Sequence, residues 1–182
     1  DSVHWGSLLP SHSLGRSAPT GPWTLCHPTP GAANQPAGLT PARYLRINEW
    51  LARASVRYHR EFIELYNPGD SPADLGGLWL SNSPNNPRRH QIPAHSYLPP
   101  GGFYVLHTTT DIDLAVDEIT FHLHGFHEWL ILSDHDGTPL DRVAINSSHT
   151  DVVEGRNPDG SNSMETFVGL RFVGNEFMTS EE

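Results

Sequence analysis

The fold is indicated most clearly by residues 61–70, which read EFIELYNPGD. Ile63 and Leu65 alternate with the polar Glu64, so they lie on one face of an extended strand, because successive side chains of a strand point to opposite faces. The Pro-Gly-Asp triplet at 68–70 consists of turn-forming residues and ends the strand. The stretch therefore predicts a half-buried strand followed by a tight turn.

The same two-residue alternation returns on both sides of this stretch. Leu45 and Ile47 alternate with polar neighbours near the start, and Phe103 and Val105 are in phase in a later strand. No helical period is sustained over the length of a helix. About eight short strands predict an all-β sandwich of two sheets. The remaining strands are expected at 78–80, 91–92, 121–123, 129–132 and 139–145, the last two joined by a hairpin turn at 134–137.

Composition and charge narrow the classes of function. Gly and Pro number 16 each in 182 residues, which suits short strands joined by many turns. The formal net charge of −10 repels phosphate backbones, so we expect no nucleic-acid partner. Cys26 is the only cysteine, so no intrachain disulfide can form. No apolar run approaches the roughly 18 residues of a membrane span, and no membrane insertion is expected.

An internal repeat links the two ends of the chain. Asp-x-Val followed by Gly-Arg occupies residues 1–16 and returns over 141–156, at a constant offset of 140 without a gap. Both copies then enter a turn-rich stretch. We predict that residues 1–40 are the C-terminal remnant of a preceding module plus a Pro/Gly-rich linker, that strand character occurs within 1–25, and that 41–182 form a β-sandwich domain. A disordered leader that merely contains Gly-Arg is the alternative, and we expect the chain to be a segment of a longer polypeptide.

Six motifs follow one another along the chain: INEWLA (47–52), EFIELYNPGD (61–70), ADLGG (73–77), LPPGGFYVL (98–106), LSDHDGTPLD (132–141) and GRNPDG (155–160). Together they resemble the bacterial lamin-tail domain over residues 44–168, and residues 1–34 resemble the end of the same family. The resemblance implies an immunoglobulin-like β-sandwich without catalytic residues. It also implies a module of a large exported or cell-surface protein, whereas the related animal domain is a partner-binding surface.

One departure from the family pattern concerns Trp79. The family commonly has Trp at the position held here by Leu78, and a shift of one residue on a strand changes the face. Either Leu78 fills the core and Trp79 covers the outside, or the preceding turn contains an extra residue.

Three histidines form a candidate metal site. His122 and His124 are two residues apart and share a face of a strand, and His127 or Glu128 can supply a third ligand for Zn²⁺ or Cu²⁺. The alternative is a pair of solvent-facing histidines, with Phe121 and Leu123 in the core.

An acidic loop is a candidate calcium site. Asp111, Asp113 and Asp117, followed by Glu118, provide the hard oxygen ligands that Ca²⁺ prefers, although the glycine of an EF-hand is missing. Solvated loop carboxylates are the alternative. Asp134 and Asp136 also resemble a calcium pattern, but the hairpin turn explains them.

Aromatic residues suggest a further kind of site. Trp50, Trp79 and Trp129 can stack on sugars if their faces are exposed, and Trp79 is the best candidate because of its shifted register. Burial is the alternative for all three. No Gly-Xaa-Ser-Xaa-Gly elbow is present, and Cys26 beside His27 does not make a dyad in a Pro-rich tail, so we expect no enzyme.

The sequence as a whole predicts a non-catalytic interaction or spacer module, extracellular or on the cell surface. Its expected partners are other domains of the same polypeptide or surface proteins. The alternative is an accessory glycan- or metal-binding module attached to a hydrolase, with zinc or calcium as the bound ion. No other cofactor is expected.

Overall fold

The structure is a computed structural model that describes residues 2–55, 60–109, 114–125, 127–146, 149–168, 171–173 and 176–178. A 3-10 helix at Ala42–Tyr44 is the helical segment of these ranges, and no described helix is long and apolar enough to cross a membrane. The described residues contain seventeen strands, in chain order β1 (Ser13–Gly15), β2 (Thr24–His27), β3 (Gln35–Pro36), β4 (Arg46–Leu51), β5 (Phe62–Tyr66), β6 (Ala73–Asp74), β7 (Trp79–Ser81), β8 (His90–Gln91), β9 (Tyr97–Leu98), β10 (Phe103–Thr108), β11 (Glu118–Ile119), β12 (Glu128–Ser133), β13 (Pro139–Ile145), β14 (Val152–Arg156), β15 (Met164–Val168), β16 (Arg171–Val173) and β17 (Glu176–Met178).

Two sheets form the sandwich. The larger has six strands in the order β11-β10-β5-β4-β14-β15, and the smaller has four in the order β13-β12-β7-β8. Every neighbouring pair is antiparallel except β10 and β11. The two sheets together contain ten strands in the described residues, so the expected count of about eight is low, while the sandwich itself is confirmed.

The core lies between the two sheets. Ile47, Ile63 and Leu65 enter it from the six-stranded sheet, and Leu130 and Leu132 enter it from the four-stranded sheet. All five are fully buried. The alternation in 61–70 predicts this for Ile63 and Leu65, and the wholly apolar segment 129–132 predicts it for Leu130 and Leu132. Burial of such a side chain contributes roughly 1.5–3 kcal/mol, so this shared core is the main source of stability.

The hairpin predicted at 134–137 is present. β12 and β13 are joined by a turn in which Gly137 has φ +89°, a conformation that glycine adopts without strain. The amide of Gly137 donates to the carbonyl of Asp134 at 2.9 Å, and Asp134 N–H donates to Thr138 O at 2.8 Å. The return strand has the predicted bounds, Pro139–Ile145.

The face of β10 differs from what the phase of Phe103 and Val105 suggests. Tyr104 and Leu106 are buried in the core, whereas Phe103 is 44% exposed. The reason is cross-strand pairing: Leu106 lies opposite Ile63 of β5, and paired residues share a face. The inward face of β5 therefore fixes the inward face of β10.

The strand expected at 121–123 is wrong, although the burial pattern is right. Phe121 and Leu123 are each 2% exposed, but the short strand lies earlier, at Glu118–Ile119. Side chains satisfy the backbone of the segment, since Glu61 accepts from Leu123 N–H at 2.9 Å and Asn82 donates to His122 O at 3.0 Å. These two side chains thus hold the segment, which has no assigned strand, against the sandwich.

A separate three-stranded sheet stands near the start of the chain, in the order β1-β2-β3. β1 and β2 form an antiparallel hairpin in which Leu14 lies opposite Leu25. The strand character expected within residues 1–25 is therefore present. β6 pairs with β9, and β16 pairs with β17, in two further short sheets.

Candidate functional site

A buried ion pair holds β4 to the end of the sandwich. Arg156 donates from Nη2 to both carboxylate oxygens of Asp141, at 3.1 and 3.0 Å. The same two side chains contact one residue of β4: Asp141 Oδ2 accepts from Ile47 N–H at 2.8 Å, and Arg156 Nε donates to Ile47 O at 2.8 Å. We call Asp141 and Arg156 the strand clamp. With side chains 13% and 4% exposed, the clamp satisfies both backbone groups of Ile47 away from solvent.

The clamp acts where regular pairing of β4 is interrupted. The register between β4 and β5 shifts between Ile47 and Glu49, so Asn48 is an extra residue in a β-bulge. The ladder between β4 and β14 reaches only to the pair Glu49 and Gly155. Since strand pairing stops there, the side chains of the clamp replace the missing ladder partners.

A cluster of carboxylates lies on the outer face of the same sheet. Glu49 and Glu64 occupy opposite positions on β4 and β5 and are 8% and 7% exposed. Asn48 lies among them and donates from Nδ2 to Glu64 and to Asp159, at 3.0 Å each. The Oδ1 of Asn48 accepts from Gly160 N–H at 2.9 Å, so one amide ties the loop after β14 to the bulge.

This crowding changes the acidity of both glutamates. Burial, followed by the charges of Glu64 and Asp159, raises the pKa of Glu49 to about 8. Burial also raises the pKa of Glu64, against the hydrogen bond from Asn48, which lowers it. Glu49 therefore retains its proton near neutral pH, which relieves the repulsion that two adjacent carboxylates would otherwise exert.

The N-terminal segment is docked on the sandwich. Leu9 and Leu25 form a small apolar cluster with Tyr97, and the three are 8%, 0% and 1% exposed. Backbone hydrogen bonds join the same regions, from Gly6 N–H to Ala94 O at 3.1 Å and from Tyr97 N–H to Ser7 O at 2.7 Å. We call this contact the N-terminal joint.

The three candidate tryptophans have different environments. Trp50 is 2% exposed in the core and donates to Glu154 at 3.0 Å. Trp79 lies on the outer face of the four-stranded sheet while Leu78 is fully buried, so the first of the two registers considered for this corner is the one adopted. Its indole N–H donates to His135 O at 3.4 Å. Trp129, 37% exposed, lies on that same outer face, with the Arg142 guanidinium 5.2 Å from its ring centre.

The candidate histidines lie beside different carboxylates. His122 Nδ1 is 3.4 Å from Glu61, and His124 Nδ1 is 3.4 Å from Glu128. Both rings are well exposed, and His127 has a left-handed backbone with φ +48°. Within the described ranges, no three His, Cys, Asp or Glu side chains come together in a group that could hold a metal ion. The zinc site stays a prediction.

Of the candidate calcium ligands, Asp111 and Asp113 lie outside the described residues. Asp117 is half-buried, and its carbonyl accepts from His107 N–H at 2.8 Å. The other acidic pair serves the hairpin turn: Asp134 Oδ1 accepts from His135 N–H at 2.7 Å and Asp136 Oδ1 accepts from Thr138 N–H at 2.8 Å. The calcium site at 111–117 also stays a prediction.

Comparison of the sequence with models of known protein families gives a match. The sequence model of the Lamin Tail Domain matches residues 40–147, more than half of the chain. The chain belongs to the lamin tail domain family. No curated protein and no solved structure matches it.

The lamin tail domain match begins at residue 40, shortly before β4, the first strand of the sandwich sheets. Thr40, the first matched residue, forms an isolated bridge to Ala73. The match ends at 147, yet β14 and β15 extend the six-stranded sheet beyond it, and β14 carries Arg156 of the strand clamp.

Sequence reasoning did not identify the strand clamp or the buried glutamates. The signal for the clamp was present, because Asp141 and Arg156 both belong to the internal repeat. Glu49 and Glu64 look like ordinary solvent-facing positions of alternating strands, and their burial depends on the loop around Asp159.

Proposed function

We propose that this lamin tail domain is a non-catalytic interaction and spacer module of a larger exported or cell-surface bacterial protein. Its partners are other domains of the same polypeptide or surface proteins. The N-terminal joint is the main support for this proposal. The segment that precedes the sandwich is fixed to it by buried Leu9 and Leu25 and by two backbone hydrogen bonds. A spacer needs such a fixed connection, because a loose linker does not set the orientation of the next domain.

The test is whether the hairpin and the sandwich tumble as one body. We expect backbone ¹⁵N relaxation to give the same rotational correlation time for Thr24–His27 as for Glu128–Ser133. Leu9→Ala should free the hairpin, because Leu9 is 8% exposed in the joint. Leu8→Ala is the matched control, since Leu8 is 39% exposed. Faster tumbling of the hairpin in the unmodified chain would reject the spacer function.

Location is tested separately. An antibody against the chain should bind intact cells of the source organism, and external protease should remove that binding. Binding that requires permeabilised cells would contradict an exported protein and leave the spacer function to be judged on the relaxation measurement.

A second candidate function is glycan binding, favoured by the location of Trp79 and Trp129 on the same face of one sheet. Both lie on the outer face of the four-stranded sheet, and an exposed indole face stacks on sugars. Titration of intrinsic fluorescence with a panel of polysaccharides should then give saturation that Trp129→Ala abolishes. Trp5→Ala is the control, because Trp5 is 57% exposed outside this face. A flat response to every polysaccharide would end this candidate.

A further inference from the structure

A histidine bridges two turns at one end of the four-stranded sheet. His135 lies in the turn between β12 and β13, and its ring reaches the turn at Gly76 and Gly77 that precedes β7. The ring nitrogen Nδ1 is 2.7 Å from Oδ1 of Asp134, and Nε2 is 3.2 Å from the carbonyl oxygen of Gly76. Both ring nitrogens therefore face hydrogen-bond acceptors.

The number of protons on the ring decides how many of these hydrogen bonds form. A neutral imidazole has one N–H group and one lone pair, so it donates to only one of the two acceptors. The imidazolium has two N–H groups and donates to both. The surroundings of His135 thus favour the protonated ring, because in the neutral ring a lone pair would face one of the acceptors.

Gly77 leaves room for the ring. Its φ is +81°, and a Cβ at this position would lie 2.9 Å from Cδ2 of His135 and 3.0 Å from Nε2. Its own backbone is held on the other side, where its N–H donates to Ile92 O at 2.9 Å and its carbonyl accepts from Gln91 at 3.2 Å. The ring of His135 therefore packs against a turn that is fixed independently of it.

Charged and titratable groups face His135 from each neighbouring element. The hydrogen bond to Asp134 raises the pKa of His135 above its ordinary value, with a smaller opposing effect of burial. The same hydrogen bond lowers the pKa of the Asp134 carboxyl. The facing groups come from the hairpin turn, from β6, from the turn before β9 and from the loop before β8: Asp134, Asp136, Asp74, His95 and Arg88.

We propose that His135 is a proton-dependent latch, which ties the hairpin turn to the Gly76–Gly77 turn while its ring is doubly protonated. The ring is 68% exposed, so it exchanges its proton directly with solvent. Loss of the proton leaves Nδ1–H on the charged Asp134, the stronger acceptor, and breaks the bond from Nε2 to Gly76. The latch is therefore closed below the titration of His135 and opens as the pH rises through it. This device goes beyond the proposed spacer function and does not depend on it.

The latch also affects Trp79 on the outer face of the sheet. The indole N–H of Trp79 donates to the backbone carbonyl of His135 at 3.4 Å. When the bond to Gly76 breaks, the hairpin turn loses its tie to the turn before β7, and the acceptor of the indole is less firmly held. Protonation of His135 thus controls how rigidly this tryptophan is positioned.

Nuclear magnetic resonance on the 182-residue chain tests the latch, in a titration from about pH 5 to about pH 9. We expect the ring of His135 to titrate above about 6.5, the value of an unperturbed histidine. Its ring nitrogen shifts should show protons on both nitrogens below the midpoint and on Nδ1 alone above it. The indole N–H signal of Trp79 and the amide signal of Gly77 should shift with the same midpoint.

Two variants assign the response. His135→Gln should abolish the shifts of the Trp79 and Gly77 signals in the neutral range. His124→Gln is the matched control and should leave them unchanged, because His124 is an exposed histidine beside a carboxylate, Glu128, at the opposite end of β12. A midpoint at or below about 6.5 would overturn the inference. So would a neutral ring that keeps its proton on Nε2, or a Trp79 response that persists in His135→Gln.

Discussion

The hairpins β1–β2 and β14–β15 share a Gly-Arg pair but have different neighbours. β14–β15 extends a six-stranded sheet and places Arg156 in the strand clamp, where its side chain is 4% exposed. β1–β2 pairs with the two-residue β3 and rests on the sandwich through Leu25. A hairpin thus forms in both places, and the neighbouring elements decide whether it belongs to the main core.

The largest expected effect is at the clamp. Arg156→Ala should lower the free energy of unfolding by about 3–5 kcal/mol, because it leaves the buried Asp141 carboxylate without its counter-charge. Urea denaturation measures the change. Arg142→Ala is the control and should lower the free energy of unfolding by less than about 1 kcal/mol, since that side chain is exposed and lies over the Trp129 ring. Similar losses of stability in both variants would show that the buried clamp contributes no more to stability than an exposed contact does.

The next comparison concerns two fully buried leucines, Leu65 in the sandwich and Leu25 in the N-terminal hairpin. Leu65→Ala should reduce the free energy of global unfolding by about 2–5 kcal/mol. Leu25→Ala should reduce it less and instead speed amide exchange in Thr24–His27, because the hairpin shares a cluster of only three buried residues. Equal losses would make the hairpin part of the same cooperative unit as the sandwich.

The pH dependence of stability should come from the carboxylate cluster around Glu49 on β4. The pKa of Glu49 rises from 4.5 to about 8 on folding, so the folded protein binds the extra proton between these values. Stability is then fully present below about pH 4 and is lost as pH rises through 8. The loss between pH 5 and 8 should be roughly 1–4 kcal/mol, at 1.36 kcal/mol per unit of pKa shift.

Glu49→Gln should remove most of that slope, and the variant should be more stable than the original chain at pH 8. Urea denaturation at a series of pH values measures it. Gly155 lies against Glu49, so its amide shift should follow the titration, whereas the amide of Gly15 should not. An unchanged slope in Glu49→Gln would assign the pH dependence to another group.

The smallest expected effect compares the two equivalent glycines. A Cβ at Gly155 would lie 2.9 Å from the carbonyl oxygen of Asn48, so backbone must move. Gly155→Ala should cost about 1–3 kcal/mol by overpacking. A Cβ at Gly15 meets side chains instead, those of Asn34 and Cys26 at 2.9 Å, and the exposed Asn34 can turn away. Gly15→Ala should therefore lower the melting temperature less than Gly155→Ala. A larger decrease for Gly15→Ala would contradict the difference in packing around the two glycines.

Much of the sandwich was predictable because its strands alternate clearly. Residues 61–70 and 139–145 have one apolar face each, and both strands are present within a residue of their expected bounds. The phase of β10 was not predictable from its own residues, since Phe103, Tyr104, Val105 and Leu106 are all apolar. Only the pairing with Ile63 and Leu65 decides which of them face the core.

The candidate sites were less predictable than the fold. Spacing placed His122 and His124 together, but each lies beside a different glutamate, and those contacts come from residues far away in sequence or after a turn. The repeat identified Asp141 and Arg156 without indicating that they touch. That contact depends on the bulge at Asn48, which leaves Ile47 in need of other partners.

Asn48 also bears on how this protein ages. Its amide donates to two carboxylates and accepts from a backbone N–H, a combination that a carboxylate of the same size cannot provide. Spontaneous deamidation would convert it to aspartate, which removes both donated hydrogen bonds and adds a negative charge beside Glu49, Glu64 and Asp159. Deamidation of this single residue would thus destabilise the bulge and limit the lifetime of the folded domain.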